Sequence, residues 1–148
     1  MGVQTSLFDS KRLLGDADKF AKRIEYVKGK LSSKNLPLFI NIRCDTYLLN
    51  IKGKQKETLQ RLKIYEKTGA DGIFLPCISD EADIAEAVDN TTLAVNVMCI
   101  PGLPDFNRLY KLGVKRASMG PFLFNKTYKN ANEFSEKIIE EKNFSPII

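Results

Sequence analysis

The 148-residue sequence has no histidine, no tryptophan and only three cysteines. Without histidine, every His-based triad, His general base and His metal ligand is excluded. Cys44, Cys77 and Cys99 are odd in number and lack paired spacing, so no disulfide framework is expected. That fits a reducing compartment, and the expected address is the cytoplasm. No apolar run approaches the length of about 18 residues that a membrane-spanning helix needs, so no membrane span is expected. The opening Met-Gly-Val-Gln-Thr-Ser lacks the basic and then apolar order of a secretory signal, and its formal match to a myristoylation pattern at Gly2 and Ser6 reads as chance. A basic run interleaved with aromatics is missing too. Lys and Arg number 23 against 18 Asp and Glu, a net charge of +5, but the excess is diffuse. Small groups such as Lys28, Lys30 and Lys34, or Lys52 and Lys54, read as solvated helical faces, and nucleic acid is not an expected partner.

What is present is an ordinary globular composition, 43% hydrophobic and 28% charged. The length suits one domain, residues 1–148. Residues 3–8 suit a short strand leading into a loop through Gly15. Asp16 is a good N-cap for a helix whose Phe20, Ile24, Val27 and Leu31 form one buried stripe. Residues 37–46, Pro-Leu-Phe-Ile-Asn-Ile-Arg-Cys-Asp-Thr, read as a strand that turns polar at its far end. Alternation puts Leu38, Ile40 and Ile42 on one face and Phe39, Asn41, Arg43 and Asp45 on the other.

A helix over 55–68 follows, with Leu59, Leu62 and Tyr65 inward, a Glu57/Arg61 pair on the surface and Gly69 as its left-handed cap. Residues 70–76 form an apolar run closed by proline, suited to a buried parallel strand. Asp80 and Glu81 favour a helix start, with Ile84, Ala85 and Val88 inward. Strand 93–98 leads through the Pro101–Pro104 turn to a helix carrying Phe106, Leu109 and Tyr110. Gly113 then caps it, residues 115–119 make the last strand, and 131–141 a terminal helix with Phe134, Ile138 and Ile139 on one side.

The order is strand and helix alternating about five times, which implies an α/β fold with parallel strands joined by right-handed crossovers. Periodicity does not choose between an open sheet and a barrel. No Gly-rich dinucleotide or phosphate-loop fingerprint follows any strand. In both architectures ligands sit at the carboxyl ends of the strands. Arg43 offers a rigid fork for a carboxylate or phosphonate at such an end, and Asn41 can orient a second oxygen. Asp45 is the alternative partner of Arg43, in a purely structural pair. Asn96 is a polar side chain near another strand end, either a ligand contact or a core amide satisfied by backbone. The three cysteines read as small buried hydrophobes. Asp9 follows the first strand and is a possible ligand of a hard cation; Asp71 precedes its strand, at the other end of the sheet, and reads as structural.

Five linked segments, Phe39-Ile-Asn-Ile-Arg-Cys-Asp45, Tyr65 to Pro76, Val95 to Met98, Pro101 to Pro104 and Leu112 to Gly120, resemble the isocitrate lyase and phosphoenolpyruvate mutase superfamily, in order and approximate spacing. The phosphoenolpyruvate mutase-like, or carboxyphosphonoenolpyruvate phosphonomutase-like, branch is the nearest in pattern. The resemblance implies a (β/α)8 barrel, Mg2+, and the making or breaking of C–C or C–P bonds beside a carboxylate in small oxo-acids or phosphonates. It makes Arg43 the substrate-clamping arginine of the family's Asn-Ala-Arg-Thr-Asp motif and Asn96 a substrate-contacting asparagine.

A complete barrel needs about 250 residues, so the resemblance implies a partial barrel, roughly the fourth to eighth βα units. The family's paired metal-binding aspartates and its flexible catalytic loop have no counterpart here, and Phe8-Asp9 stands where the family has a metal-linked Glu-Asp. No metal-ligand set is therefore assigned, and Mg2+ is expected only for the family. Cys77 replaces a glutamate of the methylisocitrate lyase branch, which argues against that reaction. The alternative expectation is a catalytically inactive remnant that binds a small carboxylate or a partner chain. A half-barrel's open edges imply self-association or a chain supplying the missing half.

Overall fold

A computed structural model describes residues 5–8 and 11–148, with side chains from residue 13 onward. The chain divides into two compact units, Met1–Ser118 and Met119–Ile148.

In the first unit, β1 (Thr5–Phe8) pairs antiparallel with β2 (Lys11–Leu14), with Thr5 opposite Leu14 and Phe8 opposite Lys11. The expected first parallel strand is thus one arm of a hairpin, and the parallel sheet has four strands rather than about five. The sequence Lys-Arg-Leu-Leu has no alternation to mark it as a strand.

Helix α1 (Ala17–Ser33) starts where expected, Asp16 Oδ1 accepting the Lys19 amide proton at 2.8 Å. That bond holds the Asp16 carboxyl below its ordinary range. Ala21 and Ile24 are buried, but Val27 is exposed, so the stripe is covered only over its first turns.

The parallel sheet comprises β3 (Asn41–Arg43), β4 (Gly72–Phe74), β5 (Ala94–Met98) and β6 (Arg116–Ser118), in that spatial order. Between them run α2 (Lys54–Tyr65), extended by a 3-10 turn over Glu66–Thr68, α3 (Glu81–Asp89) and α4 (Phe106–Lys111). Asp80 caps α3 through the Ala82 and Asp83 amides. Gly69 adopts the left-handed conformation at φ 74°, ending the helical stretch before β4.

The expected strand over 37–46 contracts to its centre. The Ile40 amide donates to the Asp71 carboxylate at 2.7 Å rather than to a ladder, and Leu38 and Phe39 are exposed. Beyond Arg43 the Cys44 amide still donates to the Phe74 carbonyl, after which the chain coils, the Leu49 amide returning to the Asp45 carbonyl. Asp71, as expected, is structural: it also pairs with Lys28. Burial works to raise its pKa, but the Ile40 and Lys28 bonds win and leave it below the ordinary carboxylate value.

One cluster unites Ile42, Ile73, Val95 and Val97 with Leu62, Tyr65, Ile84, Ala87 and Leu109. This is the helix-facing side of the sheet. Two expectations fail against it. Arg61 is not a surface residue; only 6% exposed, it donates to Glu57, the Tyr65 hydroxyl and the Gly15 carbonyl. Thr58, Arg61, Leu62 and Tyr65 make the buried stripe of α2, and a fully bonded guanidinium can sit in it. In α4 only Leu109 is buried, while Phe106 and Tyr110 are exposed, because a helix of six residues turns a single position to the core.

The second unit is mainly α5 (Phe122–Glu141), which begins nine residues before the expected start at 131. Pro121 favours that start, since its ring holds φ near the helical value. None of its residues is buried; Phe124 packs its ring on Tyr128, and Lys129 pairs with Glu133 at 3.7 Å. No helix among the described residues is long and apolar enough to cross a membrane.

Candidate functional site

Register places Arg43 beside Phe74, Phe74 beside Asn96 and, two pairs earlier, Asn41 beside Gly72. In a parallel sheet, paired residues project to the same side, so Asn41, Arg43, Phe74 and Asn96 share the face opposite the helices. Arg43 ends β3 and Phe74 ends β4, so this group lies at the carboxyl ends of the strands.

Arg43 is oriented from two directions. Its Nε donates to Asp45 Oδ1 at 2.5 Å, and its guanidinium carbon stands 5.9 Å from the centre of the Phe74 ring. Neither terminal nitrogen of its fork has a partner among the described residues. The pair with Asp45 thus exists, as the structural reading expected, but it uses the inner nitrogen and leaves the outer fork open.

Asp45 is completely buried, yet its Oδ2 accepts no hydrogen bond from the described residues; Asn96, 4% exposed, has an Oδ1 in the same condition. A buried acceptor without a donor costs about 1–3 kcal/mol, so such groups are rare in native folds, where a water, an ion or a ligand can complete the bonding.

Asn41 is held close above a glycine. A Cβ at Gly72 would lie 2.9 Å from Asn41 Oδ1, 3.0 Å from the Ala94 carbonyl oxygen and 3.1 Å from Phe39. Gly72 therefore makes the room that Asn41 occupies.

The cysteines behave differently from one another. Cys44 is buried as expected, and burial pushes its thiol pKa up, which makes it a poor nucleophile. Cys77 is half-buried and adopts a left-handed backbone, φ 67°, after Pro76 and three residues beyond the end of β4. Cys99 is exposed, which corrects the expectation of a buried hydrophobe: it follows the last residue of β5, beyond the helix cover, although its amide still donates to the Ser118 carbonyl.

Asp9 lies outside the described residues. Among those described, no group of three or more Cys, Asp and Glu side chains stands together as metal ligands, and Asp45 already holds Arg43. These residues do not fit a resident Mg2+.

Phe74 was not singled out from the sequence, because only the register shows it lying beside Arg43. The family profile of phosphoenolpyruvate phosphomutase matches residues 3–139. An uncharacterized protein of Mycobacterium tuberculosis is 38% identical over 90 residues, covering 61% of this chain and 34% of its own. Among solved structures, a Burkholderia cenocepacia J2315 protein assigned as a phosphonomutase superposes with a TM-score of 0.80 at 29% identity, over 88% of this chain and 54% of that one. Oxaloacetate acetylhydrolase in complex with the product oxalate gives a TM-score of 0.79 at 14% identity, over 96% and 50%, a likeness of fold. The chain thus spans about a third of the curated relative and about half of these structures. Its four parallel strands and intervening helices align with half of a barrel, and the chain belongs to the phosphoenolpyruvate phosphomutase family.

Proposed function

We propose that this chain provides the acid-binding part of a phosphoenolpyruvate mutase- or isocitrate lyase-like enzyme acting on a small oxo-acid or phosphonate. The observation that carries the reading is the Arg43 fork, fixed through Nε on a buried carboxylate and open at both outer nitrogens. Two parallel N–H donors in a plane match the two oxygens of a carboxylate or phosphonate. Asn41 and Asn96 lie on the same face to contact the rest of the molecule. Breaking a C–C or C–P bond beside a carboxylate leaves negative charge on the fragment that keeps the acid group, and a fixed guanidinium opposes that charge.

A second reading, binding without catalysis, draws on the sheet's open ends. β3 and β6 terminate the four-stranded order, and neither pairs further among the described residues. A partner chain, or a second copy, pairing along those edges would cover them with no catalytic step required.

The test is a thermal melt with and without oxalate, in the presence and absence of Mg2+, on the wild-type chain and on Arg43→Gln. Binding to the folded state alone raises the midpoint. The proposal expects a rise in the wild type and none in R43Q, whose own midpoint is lower because the buried Asp45 carboxylate loses its charged partner. Equal rises in both would remove Arg43 from the site.

A further inference from the structure

Just past the carboxyl ends of β4 and β5, two cysteines come to the same level. The register pairs Gly72 with Ala94, Ile73 with Val95 and Phe74 with Asn96, and the Leu75 amide, donating to the Asn96 carbonyl at 2.9 Å, carries the pairing one residue further. Continued by two more residues, the same register sets Cys77 beside Cys99. The β5 side keeps its place in the sheet to that level, since the Cys99 amide donates to the Ser118 carbonyl at 2.7 Å. The β4 side leaves the ladder sooner: Pro76 has no amide proton to donate, and Cys77 takes its left-handed backbone there. Such a backbone is uncommon at a residue with a Cβ, and conformations of this kind cluster at binding and switch regions.

The side of the sheet agrees as well as the level. Cys99 continues the helix-facing row of Val95 and Val97, and Cys77 packs against the same buried cluster. Both are free thiols within reach of solvent, Cys77 half-buried and Cys99 exposed, whereas Cys44 is completely buried. Neighbouring strands lie about 4.8 Å apart and a disulfide accepts Cα separations of about 4.4–6.8 Å, which leaves the Cys77 backbone about 2 Å in which to depart from the ladder. We propose that Cys77 and Cys99 form a reversible disulfide, a redox-modification site that clips the ends of β4 and β5 together. The oxidant is a small disulfide such as oxidised glutathione. The exposed Cys99 thiolate attacks one of its sulfurs, forming a mixed disulfide and releasing one glutathione thiolate; the Cys77 thiolate then attacks the Cys99 sulfur and expels the second. The two protons of the protein thiols end on the two glutathiones, so the cysteine pair loses two electrons and the small disulfide gains them. Excess reduced thiol drives the exchange backwards, which suits a transient bond in a reducing compartment. The bond lies on the helix side of the sheet, and its formation is independent of the acid-binding reading of Arg43.

The experiment is incubation of the folded wild-type chain, Cys77→Ser and Cys99→Ser with oxidised glutathione at low protein concentration, followed by alkylation of the remaining thiols under denaturing conditions, intact mass and a peptide map. The wild type is expected to lose two of its three thiols, to carry no glutathione, and to yield a peptide in which Cys77 is linked to Cys99, with Cys44 alkylated. Dithiothreitol should restore all three thiols. C77S should stop at the mixed disulfide on Cys99, one glutathione heavier, and C99S should form no link within the chain. Unchanged thiols in the wild type, a mixed disulfide on Cys99 with Cys77 still free, a link that includes Cys44, or a link between two chains in place of one within the chain would each overturn the pairing.

Discussion

On one side of the parallel sheet, Ile42, Ile73, Val95 and Val97 are at most 2% exposed and share a cluster with the helices. On the other side, one residue out of step, stand Asn41, Arg43, Phe74, Asn96 and Arg116. The same three-to-five-residue strands thus present a saturated apolar surface and an unsaturated polar one. A similar contrast separates the sheet's two ends. At the amino end, Asp71 has its oxygen shared by the Ile40 amide and Lys28, and does nothing but hold the chain. At the carboxyl end, Asp45 is more deeply buried but only half bonded. Polar groups whose bonds are all made within the chain hold structure; buried ones left open cost stability.

The contrast can be broken hardest on the apolar side. Ile73→Ala removes a fully buried side chain and should cost about 2–5 kcal/mol in chemical unfolding, without changing the affinity of the folded protein for oxalate. A loss of affinity larger than that of stability would show the two faces to be coupled. Gly72→Ala tests their seam: the added Cβ meets Asn41 Oδ1 at 2.9 Å, and such overpacking should cost about 1–3 kcal/mol. A variant as stable as wild type would mean that Asn41 moves freely.

Asp71→Asn comes next, at about 1 kcal/mol from hydrogen bonding. Because the folded-state pKa of Asp71 lies below its ordinary value of 3.8, its contribution is complete above that value and disappears as pH falls through the lower folded pKa. Melts from pH 6 downward should therefore converge for wild type and D71N at the acid end. Parallel curves throughout would contradict the assignment. The smallest change, with the opposite sign, is expected for Asn96→Leu. Removing an unsatisfied buried amide should leave stability equal or slightly higher, by up to about 1 kcal/mol, while weakening ligand binding. A clear loss of stability would make Asn96 a structural amide after all.

Much of this arrangement was legible in the sequence. Asp16, Asp80 and Gly69 announce helix ends because capping is local chemistry, and the apolar runs at 70–76 and 93–98 fix two strands by themselves. Alternation places Asn41 and Arg43 on one face of their strand and marks Asn96 as a polar position on another, and the register puts all three on one side of the sheet. What could not be read depends on register or on partners distant in sequence. Phe74 stands out only because the register lays it beside Arg43. The Arg61 burial requires Gly15, 46 residues away, as acceptor. The early end of the apolar strand face at Leu38 and Phe39 follows from Asp71 taking the Ile40 amide. The hairpin of β1 and β2 leaves no mark in the sequence because its second arm does not alternate.

The most direct test of the account is calorimetric titration of oxalate into the wild-type chain and into R43Q, with D71N as the control for a carboxylate at the sheet's other end. The account predicts measurable binding in the wild type and in D71N, and a loss of about 10- to 100-fold in R43Q, the size of a charge-assisted bidentate contact. Equal affinity in wild type and R43Q would contradict it.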